Sequence, residues 1–239
     1  MKIQMIIAAA ITVALSCTGA PDAGQPAPAG SQAKEGEAMP QVTVALNEPA
    51  QQVDVTVDGQ PFTSYCFWSK LHKPVLYPLR SADGRIVSRQ YPAKMIPGER
   101  VDHPHQLSCW FNFGDVNGVD FWGNSDSVNQ ARGHFGNIRQ RSLDGMQSGP
   151  DKAWIDVTLD WLGPQDNLML TEKDRIYFRA APGLRIIDRV MTLTAGSEKV
   201  TFNDTKEGAF AIRVARGLEE PSDQPQRFVD ERGEVTEVA

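Results

Sequence analysis

The chain has 239 residues with 24 Lys+Arg against 30 Asp+Glu, a formal net charge of −6. An acidic chain with no basic cluster excludes nucleic acid as the expected partner. Hydrophobic residues make up 41% of it, enough for a packed core and for a single domain from Gln41 onward.

The first element is MKIQMIIAAAITVALSC, in which Lys2 precedes an apolar run from Met5 to Leu15. It reads as an export signal, too short to span a bilayer as a stable helix. Val13, Ala14, Leu15 and Ser16 fit a lipobox, which would make Cys17 the lipid-bearing N-terminus of an exported, membrane-anchored protein. Cleavage after Ala20 is the alternative. Thr18 to Pro40 is rich in Pro, Ala and Gly, cannot bury enough surface to order, and reads as a tether. The expected organisation is signal 1–17, tether 18–40 and one domain over 41–239, with the membrane reached only through the lipid.

From there period-two alternation dominates. Val53, Val55 and Val57 point one way and Asp54, Thr56 and Asp58 the other, before Asp58-Gly59 turns the chain into PFTSYCFW. In SCWFNFGDVNGVDFW, Asn117-Gly118 predicts a two-residue type I′ turn that sets Val116 opposite Val119 and Asp115 opposite Asp120. Ile155, Val157, Leu159 and Trp161 share one face of WIDVTLDWL, two long strands meet at Pro182-Gly183, and AFAIRVA (209–215) is one more strand. No window keeps a helical period. The fold predicted is an antiparallel β-sandwich, with a closed barrel as the alternative. Cys66 and Cys109, both in aromatic strand-like segments, are left open between a disulfide and two buried thiols.

Two clusters carry candidate chemistry. In Asp102-His103-Pro104-His105 the proline is expected to hold His103 extended, so that both imidazoles project to one side and can share one divalent metal ion. A third ligand would come from His134, Asp120 or Glu207; otherwise the histidines only bond loop backbone. In DTKEGAFAIRVA, Phe210, Ile212 and Val214 face the core, and Arg213 stands among Ala209, Ala211 and Ala215. One guanidinium in a shallow groove suits a carboxylate or sugar hydroxyls. Asp204, Lys206 and Glu207 precede that strand in a turn. Of Trp68, Trp110 and Trp122, one at most is expected to line a site.

KPVLYPLRSADGRIVSRQYP (73–92), DHPHQLSCWFNFGDVNGVDFW (102–122), GNIRQ (136–140), DWLGP (160–164) and DTKEGAFAIRVA (204–215) together resemble the bacterial β-sandwich proteins labelled PmoA-like, or methane oxygenase. Methane oxidation itself is discarded, because its membrane subunits need spans that this chain lacks. The resemblance implies a β-sandwich, company with sugar oxidoreductases and isomerase-like enzymes, and further strands beyond RGEVTEVA. The chain departs from the pattern at Gln106, Leu107 and Gln140, where relatives carry histidine or basic residues. The reading that follows is recognition or lyase-type processing of a carbohydrate-derived molecule. In it His103 and His105 serve as metal ligands or as acid and base, Glu207 and Lys206 as their partners, and Arg213, Trp110 and Asp204 as substrate contacts. The rivals are a carbohydrate-binding module without catalysis and a purely structural surface domain.

Overall fold

The computed structural model describes residues 6–13, 39–219, 226–229 and 235–238. The lipidation candidate Cys17 and most of the tether lie outside the described residues.

The strands are β1 (Ile6–Val13), β2 (Gln41–Asn47), β3 (Gln52–Val57), β4 (Gln60–Cys66), β5 (Val75–Leu76), β6 (Cys109–Phe113) and β7 (Asn137–Gln147). They continue as β8 (Gly149–Pro150), β9 (Lys152–Leu162), β10 (Leu168–Ala181), β11 (Leu184–Ala195), β12 (Gly208–Ile212), β13 (Gln226–Val229) and β14 (Val235–Val238). A seven-stranded sheet runs β12-β6-β5-β4-β3-β2-β8 and a five-stranded sheet runs β1-β11-β10-β9-β7. The β13–β14 pair is a separate ribbon. All ladders are antiparallel, so the expected sandwich is the fold.

Alternation builds it. Val53, Val55 and Val57 are buried against Ile155, Val157, Leu159 and Trp161 of the opposite sheet. Burying each such side chain contributes roughly 1.5–3 kcal/mol. Edge-to-face aromatic pairs stitch the layers, among them Phe62 with Phe178 and Phe111 with Trp161. The turns follow the sequence signals. Asp58 and Gly59, like Asn117 and Gly118, take positive φ, as a type I′ turn requires, and Val116 bridges Val119. Asp115 and Asp120 do not repel each other there. Each caps local backbone, Asp115 at Gly118 N and Asp120 at Trp122 N and Gly123 N.

Two features were not foreseen. Glu172 and Asp174 point into the core between the sheets, where Arg189 binds Asp174 through two nitrogens and Trp161 donates to Glu172 at 2.8 Å. The Arg189 guanidinium also lies 5.9 Å from the rings of Phe111 and Phe210 across the sandwich. The other feature is the outer face of β4, β5, β6 and β12, which is not left to solvent. Segments 67–74, 90–108 and 122–136 roof it, closing a second apolar cluster of Cys66, Val75, Leu107, Trp110 and Trp122, while 77–89 extends the sheet by bonds to 62–64 and 213–215 and sends Leu79 and Val87 into the inter-sheet core.

That cluster settles the cysteines. Cys66 pairs with Val75 and faces the outer cluster, whereas Cys109 pairs with Leu76 and faces the inter-sheet core. Opposite faces of one sheet cannot share a disulfide, and both are free thiols.

Candidate functional site

Under the roof lies a cavity of about 260 Å³. Trp68, His72, Lys73, His105, Ser125 and Asp126 line it. Trp68, Leu71 and Lys73 also border a second hollow of about 470 Å³ that adds Gln51, Arg139 and Gln140. Lys73 thus stands at the junction of the two.

Lys73 opens KPVLYP, where the chain enters β5 between two prolines, and its side chain runs inward instead of out. Only 4% of the residue is exposed. Its Nζ donates to the His105 carbonyl at 2.7 Å and lies 5.7 Å from the Trp110 ring centroid. Burial pushes the ammonium down to about 7, with Asp120 opposing at longer range. Burial, reinforced by Lys73 and His103, likewise lowers the His105 imidazole to about 4, so it is neutral at physiological pH. His72 is fixed between Asn137 Oδ1, 2.5 Å from Nδ1, and Asp126 Oδ1, 3.0 Å from Nε2. Ser125 Oγ and Gln140 Oε1, on residues that line the two hollows, are buried without a hydrogen-bond partner.

The DHPH segment is built differently from the expectation. His103 is not extended: its φ is +44°, and Gln106 N donates to its carbonyl at 2.9 Å, closing a turn. The cause is Arg89, whose fully buried guanidinium donates to the carbonyls of Arg100, Asp102, His103 and Gln106. Several charge-assisted hydrogen bonds outweigh the ~1–2 kcal/mol that a left-handed non-glycine residue costs. The two imidazoles still meet, ring centroids 5.6 Å apart and edge-on, but only His105 lines the cavity.

Asp102 anchors the turn. It accepts from Arg89 at 2.6 Å and from Arg213 at 3.0 and 3.2 Å, and it lies 3.1 Å from His103 Nδ1. Burial works against its carboxylate, yet His103, Arg213 and Arg89 together hold its pKa below the ordinary range. Arg213 also donates to Gln106 Oε1 at 3.0 Å. The expected substrate-orienting guanidinium is therefore committed to the loop, and the departure at Gln106 supplies one of its acceptors.

The other expected residues separate. Glu207 sits at the far end of β12, its carbonyl bonded to Gly114 N and its carboxylate 3.6 Å from Lys206 Nζ. At ~3.3 Å per residue it lies roughly 20 Å along the strand from Arg213. It cannot partner the histidines, and Asp204 and Lys206 are exposed in the same distant turn. Trp110 is 1% exposed and packs on Trp122, with Nε1 donating to Asn112. It is core, not a sugar platform; Trp68, half-buried at the cavity, is the tryptophan in that position. The metal reading does not fit either. Among the described residues no three His, Cys, Asp or Glu side chains converge as a ligand set, and Asp120 is taken up by backbone amides.

Sequence reasoning missed Lys73, His72, Asp126 and Arg89. The available signal was compositional: FWSKLHKPVLYPLR places three basic residues and a histidine in a stretch with no acid between Asp58 and Asp83. A lysine there has no local ion-pair partner.

Fold and site define a two-layer β-sandwich whose outer face is roofed by loops around a cavity with a buried lysine. Residues 52–237 match the family of unknown function DUF6807, and the chain belongs to that family. Nothing in the match links it to methane oxygenase subunits. No curated protein and no solved structure matches the chain. No helix among the described residues is long and apolar enough to cross a membrane.

Proposed function

We propose that the outer cavity binds a small carbohydrate-derived molecule and that the protein acts as an exported, lipid-anchored receptor or lyase-type enzyme for it. The observation that carries this reading is the cavity wall, where the indole of Trp68 stands beside His72, Lys73, His105 and the unpartnered hydroxyl of Ser125. One aromatic face with several convergent polar groups is what a polyhydroxylated ring needs, stacking on its C–H face and hydrogen-bonding at its rim. Neutral His105 can accept a proton, and Lys73, poised near neutrality, can give or take one. Acid and base chemistry next to a carbonyl or carboxylate suits that pair better than hydrolysis by two carboxylates, since Asp126 is engaged by His72.

The resemblance of the DHPH and DTKEG blocks to PmoA-labelled proteins adds the association with sugar-oxidising enzymes and nothing about methane. The signal-like N-terminus supports export, and Cys17 supports the anchor.

Titration with methyl β-D-glucuronide, followed by tryptophan fluorescence, tests the reading. We expect saturable quenching in the intact protein and at least tenfold weaker binding in Trp68→Ala. Flat titrations with this compound and with neutral methyl hexosides would remove the carbohydrate assignment.

A further inference from the structure

Among the described residues three cations are buried, and two of them are matched. Arg89 holds loop carbonyls and Asp102, and Arg189 holds Asp174 beside Glu172. Lys73 differs. Among the described residues no carboxylate forms a salt bridge with it, and Asp120 acts on it only at longer range. Its nitrogen has one hydrogen-bond acceptor, the His105 carbonyl, and the Trp110 ring as its floor. It also lines open space on two sides, the 260 Å³ cavity and the neighbouring hollow. A structural lysine would be paired or would extend to solvent. One that is 4% exposed yet lines a ligand-sized space is placed to act as an amine nucleophile.

We propose that Lys73 captures a carbonyl group: its Nζ attacks the aldehyde or ketone carbon of a small polyhydroxylated molecule held against Trp68, giving an imine and water. The nitrogen lone pair forms the C–N bond while the carbonyl π pair moves to oxygen, and one amine proton passes to that oxygen. The second amine proton leaves with the hydroxyl as water, so amine plus carbonyl gives imine plus one water with no oxidant or reductant. His105, in the cavity wall beside Lys73, is the group that relays these protons. The inference rests on the cavity being a small-molecule site, and it narrows the ligand to open-chain sugars or sugar acids bearing a free carbonyl.

The test uses the full chain at pH 7 with D-glyceraldehyde and sodium cyanoborohydride, which reduces an imine to a stable secondary amine, followed by peptide mass mapping. An amine titrating near 7 is about half neutral at that pH, against roughly one part in a thousand or less for an ordinary lysine. Lys73 should therefore be alkylated at least tenfold faster than exposed Lys70, three positions away, and Trp68→Ala should slow Lys73 while exposed Lys199, which lines neither hollow, reacts as before. Lys73→Met and Lys73→Arg, checked by circular dichroism, should lose the fast-labelled site while Lys70 reacts as before. Labelling of Lys73 no faster than Lys70 would overturn the proposal. If methyl β-D-glucuronide, which has no free carbonyl, still quenches fluorescence in that case, only the capture step falls; if it does not, the cavity reading falls with it.

Discussion

The two faces of the seven-stranded sheet each bury a cation, and they do it in opposite ways. On the inner face Arg189 is clamped by Asp174 and Glu172 and capped by two phenylalanine rings. On the outer face Lys73 has an indole and a carbonyl for company, no salt-bridged acid, and open space. Desolvation costs both groups heavily, but directly paired acids offset it on the inner face, against only the longer-range pull of Asp120 on the outer. Compensated burial is what a fold needs to hold a buried charge. Uncompensated burial persists where something other than stability keeps it, and that contrast separates scaffold from site in this molecule.

The largest effect should come from breaking the compensated side. Arg189→Met strands two acids in the core and should cost about 3–5 kcal/mol of stability in chemical denaturation. An unchanged midpoint would mean the inner cluster is not what holds β10, β11 and β6 together.

A middle-sized effect distinguishes the faces by the sign of their pH dependence. Burial raises Glu172 from 4.5 to about 7, so its contribution to stability is complete below 4.5 and is lost as pH rises through 7. Burial lowers Lys73 from 10.5 to about 7, so its contribution is complete above 10.5 and is lost as pH falls through 7. Each slope is on the order of 1 kcal/mol per pH unit. Glu172→Gln should flatten the profile between pH 5 and 7, and Lys73→Met should flatten it between pH 7 and 10. At pH 7 Lys73→Met should leave stability unchanged or raise it. A strong loss there would make Lys73 structural and erase the contrast.

The smallest effect is chemical. Burial pushes both Cys66 and Cys109 up to about 12, so neither should react measurably with iodoacetamide at pH 8 until the chain is unfolded. Fast labelling of Cys66 alone would show that the roof opens readily while the inner core stays shut.

The sandwich was legible because strands announce themselves by alternation. Val53 to Val57 and Ile155 to Trp161 each bury one face, and Asn117-Gly118 and Pro182-Gly183 mark their turns. Even there the same alternation placed Glu172 and Asp174 inward with Leu170 and Ile176, and a polar pair at core positions passed unnoticed because its partner, Arg189, lies on another strand. The roof was not legible. Residues 90–108 have no period, and the turn over 100–106 takes its shape from one arginine binding carbonyls 11 to 17 positions away. So the DHPH histidines were found by composition, and their conformation was mistaken by local rules that Arg89 overrides. Lys73 stayed hidden for a similar reason. Nothing in KLHKP says that the side chain turns under a loop that arrives 32 residues later.

One pairing bears on the export and anchoring we propose. The eight residues of β1 are the apolar run of the leader-like N-terminus, yet here their backbone completes the five-stranded sheet against β11, from Ile6 opposite Thr192 to Val13 opposite Arg185. Processing at Cys17 would take that strand away and leave a row of unsatisfied amides and carbonyls along β11. The uncut precursor and the anchored product would then differ at a sheet margin open to strand exchange, between copies or with another polypeptide, and hydrogen exchange along β11 before and after cleavage would register the change.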